Sequence, residues 1–138
     1  MNKPVVYLAG AMTGLTKEEM TAWRDYATYS LQANDLGVWN PADTSINGES
    51  TAKEIVDNNQ FMITKSDIIL AEMLPRENPS LGTISEIVFT GTLGKPVITF
   101  GESWVLDYPW VAVNVTSRLK TLDSALDYII TNYGCRVI

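Results

Sequence analysis

The chain has 138 residues, of which 46% are hydrophobic and 19% are charged. This length suits one domain around one core, and the composition excludes a disordered chain. The longest apolar runs are far shorter than the ~20 residues of a membrane-spanning helix, and ten basic against sixteen acidic residues give a net charge of −6. We therefore expect a single domain over residues 1–138, with neither a membrane nor a nucleic acid polymer as its partner.

The sequence contains no histidine and one cysteine, Cys135. Without histidine, the chain cannot form a Ser-His or Cys-His nucleophile pair or a zinc site with histidine ligands. One cysteine excludes an intrachain disulfide framework, and the N-terminal run MNKPVVYLAG lacks the long apolar stretch of a signal peptide, so we expect a cytoplasmic protein. Any catalysis must therefore use carboxylates, hydroxyls or amides.

Strands and helices alternate along the predicted chain. The elements expected are strand 4–9, helix 16–35, strand 38–39, helix 50–65, strand 67–71, helix 82–93, strand 97–100, strand 111–115 and helix 121–133. Strand 4–9 is a short apolar run without alternation, typical of a strand buried on both faces of a parallel sheet. Helix 16–35 begins at the capping pair Thr16 and Glu19, and an aromatic loop at 104–110 separates the last two strands.

This alternation predicts an α/β fold with a doubly wound, mainly parallel five-stranded sheet of the flavodoxin-like or Rossmann-like kind. In such sheets, ligands lie outside the carboxyl ends of the strands at a switch point. The loops after the first, third and fourth strands are therefore the places where a site is expected. Asp67 begins its strand at the opposite end of the sheet, so we expect it to have a structural role in a turn or as a helix cap. Asp43 is left outside the site.

Two features stand at the expected places. The turn from Gly10 to Gly14 leads towards a helix N-terminus, whose backbone N–H groups suit an anion or a sugar hydroxyl, although such a turn is equally often only a tight connection. Further along, Glu86 has no cation at i+3 or i+4, where Phe89 and Thr90 stand. An exposed acid on a solvated helix face is one interpretation. A buried carboxylate without a partner is costly, however, which makes Glu86 a functional candidate.

Five sequence blocks carry a family resemblance and span most of residues 4–100. They are Tyr7-Leu-Ala-Gly10, Trp39-Asn40-Pro41, Ser66-Asp67-Ile-Ile-Leu-Ala71, Pro79-Ser80-x-Gly82-x-x-x-Glu86-Ile and Gly94-Lys-Pro-Val97. Together they resemble the nucleoside 2-deoxyribosyltransferase superfamily, including its nucleoside 5′-monophosphate N-hydrolase branch. In that family, the glutamate matching Glu86 attacks the anomeric carbon of a nucleoside, and water or a second base then releases the glycosyl-enzyme.

The resemblance also implies the other members of the site. Tyr7 would orient the nucleophile, whereas by itself it is an ordinary core aromatic of a strand. The implied substrate-binding positions are Gly10, Met12, Thr13, Ser80, Gly82 and Asn114. Family members complete each site with residues near Asn114 or beyond from a neighbouring subunit, so a homodimer or higher homo-oligomer is expected, and no metal or other cofactor is implied.

The sequence departs from the family pattern at two places. Eight positions before Asp67, where the family usually has an aspartate at the nucleobase, this chain has Asn59, an amide that cannot donate a full proton. Six positions before the nucleophile, transferases acting on free nucleosides usually have an acid, whereas Ser80 resembles the monophosphate hydrolases. The first loop has Ala11 and Thr13 where those hydrolases tend to have serine and arginine.

These observations favour an N-glycosidase that acts on a (deoxy)ribonucleoside 5′-monophosphate, with Glu86, Tyr7 and Asn59 as catalytic residues. Base exchange between free deoxynucleosides is the nearest alternative. A nucleotide-binding protein without catalysis, which Asn59 keeps open, and a flavodoxin-like domain of unrelated role are the others.

Overall fold

A five-stranded parallel sheet forms the centre of the fold in the computed structural model, which describes residues 3–44, 46 and 49–134. The strands are β1 (Val5–Ala9), β2 (Gly37–Trp39), β3 (Ile68–Glu72), β4 (Val97–Phe100) and β5 (Ser117–Leu119). The helices are α1 (Lys17–Ala33), α2 (Ala52–Lys65), α3 (Leu81–Thr92), α4 (Pro109–Ala112) and α5 (Leu122–Tyr133). Short 3-10 turns cover Pro41–Asp43 and Trp104–Asp107. Cys135 and part of the loop after Asn40 lie outside the described residues.

The strand order is β2-β1-β3-β4-β5, and every neighbouring pair is parallel. This arrangement confirms the predicted α/β fold with a doubly wound parallel sheet. Strand β1 lies inside the sheet, with Tyr7 beside Trp39 on one neighbour and Ile69 on the other. Residues Val6 to Ala9 are fully buried because helices cover both faces of the sheet, which explains their continuous apolar run.

The longer helices begin where side chains accept from their first free N–H groups. Thr16 and Glu19 form the predicted capping box of α1, and Thr51 and Glu54 form a second one at α2. The second helix therefore begins after Thr51 rather than at Ser50. Each box satisfies two backbone donors that the helix itself leaves unpaired, which fixes where each helix starts.

The sheet separates two apolar cores. One core lies between the sheet and the pair α1 and α5, and the other lies between the sheet and α2, α3 and α4. Because side chains alternate along a strand, Val6 and Leu8 point into the first core while Tyr7 and Ala9 point into the second. Tyr7 is thus placed on the side of the sheet that carries α3.

The prediction of a last strand at 111–115 is wrong. Pro109 begins the short helix α4, Val111 is buried in the second core, and Val113 is 79% exposed. The strand itself is Ser117–Leu119, at the edge of the sheet, where neither face is fully covered and no apolar run is needed. The three valines alternate in sequence like a strand, but the proline fixes a backbone angle that suits the first turn of a helix.

Asp67 is structural, as expected, although its partner lies on the neighbouring strand β1 and not in a turn or a helix cap. Its Oδ2 accepts a hydrogen bond of 2.8 Å from the backbone N–H of Val5, at the amino end of the sheet. Within the part of the chain that the structure describes, no helix is both long and apolar enough to cross a bilayer.

Candidate active site

The crevice at the carboxyl ends of β1 and β3 is where the predicted site residues gather. These strands are neighbours, but β1 continues into α1 on one face of the sheet and β3 continues into α3 on the other. The two loops diverge from adjacent strand ends and leave a gap between them, as expected at a switch point of a doubly wound sheet. The loop after β1 contains Gly10 to Gly14, and the loop after β3 ends at Ser80.

Tyr7 and Glu86 meet at this crevice although they are 79 residues apart in sequence. The Tyr7 hydroxyl donates a hydrogen bond to Oε2 of Glu86. Tyr7 is fully buried in β1, and Glu86 is partly buried on the second turn of α3. The structure therefore brings together the two residues for which the sequence predicted a nucleophile and its orienting phenol.

Burial dominates the electrostatics of this pair. It raises the pKa of Glu86 from 4.5 to about 7, while the hydrogen bond from Tyr7 and the positive charge of Arg24 act in the opposite direction. The pKa of Tyr7 is also raised, mainly by burial and then by the negative charge of Glu86, so the phenol keeps its proton and acts as a donor. At neutral pH, Glu86 is thus a weakly solvated carboxyl group close to its midpoint of ionisation, as expected of a nucleophile in a cleft.

The first loop is held close to the crevice by tight packing at Gly10. A β-carbon at this position would lie 2.8 Å from a ring carbon of Trp23 and 3.2 Å from Nη2 of Arg24. Gly14 has a φ of +79°, which side chains of L-residues rarely adopt. Between these glycines, Met12 is partly buried and Thr13 is exposed.

The N-terminus of α3 forms the facing wall. Ser80 is the N-cap of the helix, and its Oγ accepts hydrogen bonds from the backbone N–H and the hydroxyl of Thr83. The proton of the Ser80 hydroxyl is therefore left to donate elsewhere. Gly82, in the first turn, has open space where a side chain would stand. A small cavity of about 20 Å³ lies beside Ser80, large enough for one water molecule.

Asn59 and Asn114 are not brought into hydrogen-bond contact with Glu86. Asn59 lies on the partly buried face of α2, and within the described residues its side chain makes no hydrogen bond. Asn114 donates to the Trp110 carbonyl and lies against Gly91 in the last turn of α3. Ser80 caps the first turn, so Asn114 and Ser80 lie at opposite ends of this helix.

Sequence reasoning missed two buried charged groups beside the crevice. Arg24 is fully buried on the inward face of α1, and Glu72, at the end of β3, is 3% exposed and paired with Arg76 through two hydrogen bonds. The signal for Arg24 was its place between Met20 and Ala27 at helical spacing, which sets a charged residue on the apolar face. No such pattern marks Glu72. A strand that is buried on both faces does not alternate between apolar and polar residues, so a charged residue at its end does not interrupt a pattern. Within residues 3–44, 46 and 49–134, no three acidic or cysteine side chains cluster closely enough to hold a metal ion.

A doubly wound parallel sheet with a partly buried carboxylate and a phenol donor at its switch point is an arrangement typical of enzymes that act on small molecules. The sequence model of the family described as nucleoside 2-deoxyribosyltransferase matches residues 6–110. The chain belongs to this family, which confirms the resemblance, and it is an enzyme of the nucleoside deoxyribosyltransferase and N-glycosidase type. No curated protein sequence matches the chain.

Solved structures of the same fold agree with this membership. The 2-desoxiribosyltransferase from Leishmania mexicana superposes with a TM-score of 0.74 at 20% identity, over 94% of this chain and 99% of that one. The 2-deoxyribosyltransferase from Bacillus psychrosaccharolyticus gives 0.73 at 16% identity, over 97% and 98%. The CMP N-glycosidase BcmB of Clostridium botulinum gives 0.62 at 19% identity, over 91% and 97%. At these identities the structural likeness shows the fold.

Proposed function

We propose that this protein cleaves the N-glycosidic bond of a (deoxy)ribonucleoside 5′-monophosphate, with Glu86 as the nucleophile. The observation that carries this proposal is the partly buried Tyr7–Glu86 hydrogen bond at the switch point of the sheet. A carboxylate with one oxygen fixed by a phenol has its other oxygen available for attack, and its poor solvation makes it more reactive.

In the first step, the free oxygen of ionised Glu86 forms a bond to the anomeric carbon while the bond from that carbon to the base nitrogen breaks. The electron pair of the broken bond leaves with the base, and the product is a glycosyl-enzyme ester. Water then attacks the same carbon, loses a proton, and releases sugar phosphate and the Glu86 carboxylate. A negative carboxylate stabilises the oxocarbenium-like transition state more than the neutral ground state, which is the source of the rate gain.

The departing base needs a hydrogen-bond donor, and Asn59 is the proposed residue. Its position on the inward face of α2 supports this assignment. An amide can bind the base but cannot transfer a proton to it, so the proton that the base finally acquires comes from water.

The phosphate is proposed to bind between the first loop and the start of α3. The free hydroxyl proton of Ser80, the open space at Gly82 and the N-terminus of a twelve-residue helix support an anion here. The proposed lining from the first loop is Gly10, Met12 and Thr13. The structural likeness to a CMP N-glycosidase is consistent with a monophosphate substrate.

Transfer between free deoxynucleosides is the second candidate function, and the family description favours it. In that reaction a second base, instead of water, attacks the glycosyl-enzyme. The two candidates share Glu86 and Tyr7 and differ in the acceptor and in the need for a 5′-phosphate.

The test is to incubate the protein with a panel of nucleosides and their 5′-monophosphates, with and without an added acceptor base, and to quantify free base by chromatography. We expect base release from a monophosphate without an acceptor, rising as the pH passes through about 7 and Glu86 ionises. The Glu86→Ala variant should release no base, with Glu77→Ala as a control for loss of an exposed acid. Turnover that requires an acceptor base would favour the transferase, and nucleotides recovered intact would favour a binding protein.

A further inference from the structure

Arg24 is the largest fully buried side chain of the described residues. Because its guanidinium is charged, apolar packing does not explain why it is buried. Arginine is almost never fully buried unless its charge is paired. The guanidinium of Arg24, however, donates to two backbone carbonyls, through Nη1 to Met20 at 2.8 Å and through Nη2 to Gly10 at 2.9 Å. Within the described part of the chain, it forms no ion pair with a carboxylate, and its Nε has no hydrogen-bond partner.

These contacts place the guanidinium directly under the first loop of the site. Gly10 is the first residue after β1, two positions beyond Leu8, whose side chain faces α1. The space at Gly10 is closed by Trp23, Arg24 and Glu72, all within 3.3 Å of where a β-carbon would stand. The Trp23 ring also lies 4.8 Å from the guanidinium carbon. Arg24 thus reaches the switch point from the layer of α1, while Glu86 approaches it from α3.

Of the two carboxylates whose charges act on Arg24, only Glu86 has no other cationic partner among the described residues. The charges of Tyr7, Glu86 and Glu72 act on Arg24, and Glu86 in turn is acted on by the hydrogen bond from Tyr7 and by the charge of Arg24. Glu72 already has Arg76 as its partner. Tyr7 stays neutral, so Glu86 is the anion of this group without a salt bridge, and the positive charge of Arg24 favours its ionised form.

We propose that Arg24 is a positioning residue of this site: it fixes the Gly10 carbonyl of the first loop and brings a positive charge to the switch point from the layer opposite to Glu86. The proposal rests on Glu86 being the nucleophile of the proposed function. Burying a cation is costly, but removal of Arg24 would also take from the Gly10 carbonyl the donor that holds it. Arg24 therefore has two roles at the site, the hydrogen bond to the Gly10 carbonyl and the positive charge that favours the ionised form of Glu86.

The first test is the pH dependence of kcat/KM for base release in Arg24→Met. Because one pKa unit corresponds to a tenfold change in equilibrium, removal of a nearby charge should move the acidic limb of the profile upward by about one pH unit. Arg24→Lys, which keeps the charge but not the planar pair of donors, should leave the limb in place and lower only the plateau. Arg118→Gln, which removes an exposed arginine, is the matched control and should change neither.

The second test does not depend on activity. Urea unfolding of the wild type, Arg24→Met, Glu86→Gln and the double variant forms a double-mutant cycle. At a pH of about 8.5, Arg24→Met should lower the equilibrium ratio of folded to unfolded protein. The factor by which this ratio falls should be roughly ten times larger in the wild-type background than in the Glu86→Gln background. At a pH of about 5, where Glu86 is protonated in the folded protein, the losses in the two backgrounds should be equal.

If Arg24→Met does not fold, Arg24→Gln, which retains an amide donor, is measured in the same way. Equal losses in the two backgrounds at both pH values, measured in folded variants, would overturn the role of Arg24, whatever the activity. Absence of base release from every substrate would instead overturn the proposed function, and with it the positioning role, while the cycle would still report whether the two charges interact.

Discussion

At the scale of single residues, the buried carboxyl group of Glu86 should cost the protein stability. Burial raises its pKa to about 7, so the folded state binds this proton more tightly than the unfolded chain does. The contribution of Glu86 to stability is therefore fully present below its ordinary pKa of 4.5 and is lost as the pH rises through 7. A carboxyl group selected for stability alone would not be expected to destabilise the folded protein at neutral and higher pH.

Glu86→Gln should accordingly be more stable than the wild type above pH 7. The amide is neutral and can still accept from Tyr7, so the gain should be on the order of 1–3 kcal/mol at pH 8 and close to zero at pH 4. Urea unfolding at the two pH values measures it. Glu77→Gln, at an exposed position, should show no such pH-dependent gain. A Glu86→Gln variant that is no more stable than the wild type at pH 8 would mean that the carboxylate is well solvated.

Asn59→Asp should raise the rate of base release without tightening substrate binding. A carboxylic acid in a partly apolar pocket has a raised pKa and could protonate the departing base, an effect worth ~10²-fold or more. The gain should grow as the pH falls, because only the protonated acid donates. Gln60→Glu, on the exposed face of α2, is the control. A folded Asn59→Asp variant that is no faster at any pH between 5 and 8 would remove Asn59 from the leaving group.

At the scale of elements, helix α3 carries both ends of the proposed site. Ser80 caps its N-terminus and Glu86 follows on the second turn, about 9 Å further along the axis at 1.5 Å per residue. The helix is fixed in place because Thr83 and Ile87 are buried on its inner face.

Ser80→Asp should weaken the use of monophosphates more than that of nucleosides. Aspartate is as good an N-cap as serine, so α3 should keep its start. A carboxylate next to a phosphate dianion should cost on the order of 1–4 kcal/mol in a partly desolvated site. The measurement is kcat/KM for each substrate class. Thr121→Asp makes a similar change at the N-cap of α5 and should change kcat/KM for neither monophosphates nor nucleosides. Equal losses for both classes would show that Ser80 does not recognise the phosphate.

At the scale of the whole molecule, one exposed surface is unusually aromatic. Trp104 is 62% exposed, Tyr108 48% and Trp110 63%, and all three lie in the segment between β4 and β5. Asn114, which follows them, is remote from Ser80 along α3. An exposed cluster of this kind is typical of a surface that is buried against another subunit.

We expect the protein to be at least a dimer at micromolar concentration, and light scattering measures this. Trp110→Glu should shift it towards the monomer, because a charge on this exposed aromatic residue would oppose its burial against another subunit, and should lower activity if a neighbour completes each site, as the family resemblance implies. Tyr29→Glu alters another exposed aromatic, 77% exposed on α1, and should leave the assembly unchanged. A fully active monomer would contradict the expectation.

The sequence was most informative where structure depends on near neighbours in the chain. The βα alternation and the capping box at Thr16 were predicted because spacing and local hydrogen bonds decide them. The last strand was misplaced because β5 is a short edge strand with no apolar run, while Val111 and its neighbours alternate like a strand but follow a proline.

The sequence by itself determined the fold class, the family and the residues Tyr7 and Glu86 as candidates. Only the tertiary structure decided that the Tyr7 phenol donates to Glu86, that burial raises the pKa of this carboxyl group, and that Arg24 lies beneath the first loop. The physical reason is that periodicity records which side of its own element a residue occupies. Contacts between residues of different layers, and the loss of solvent that sets their charge states, arise only when the chain closes around the sheet.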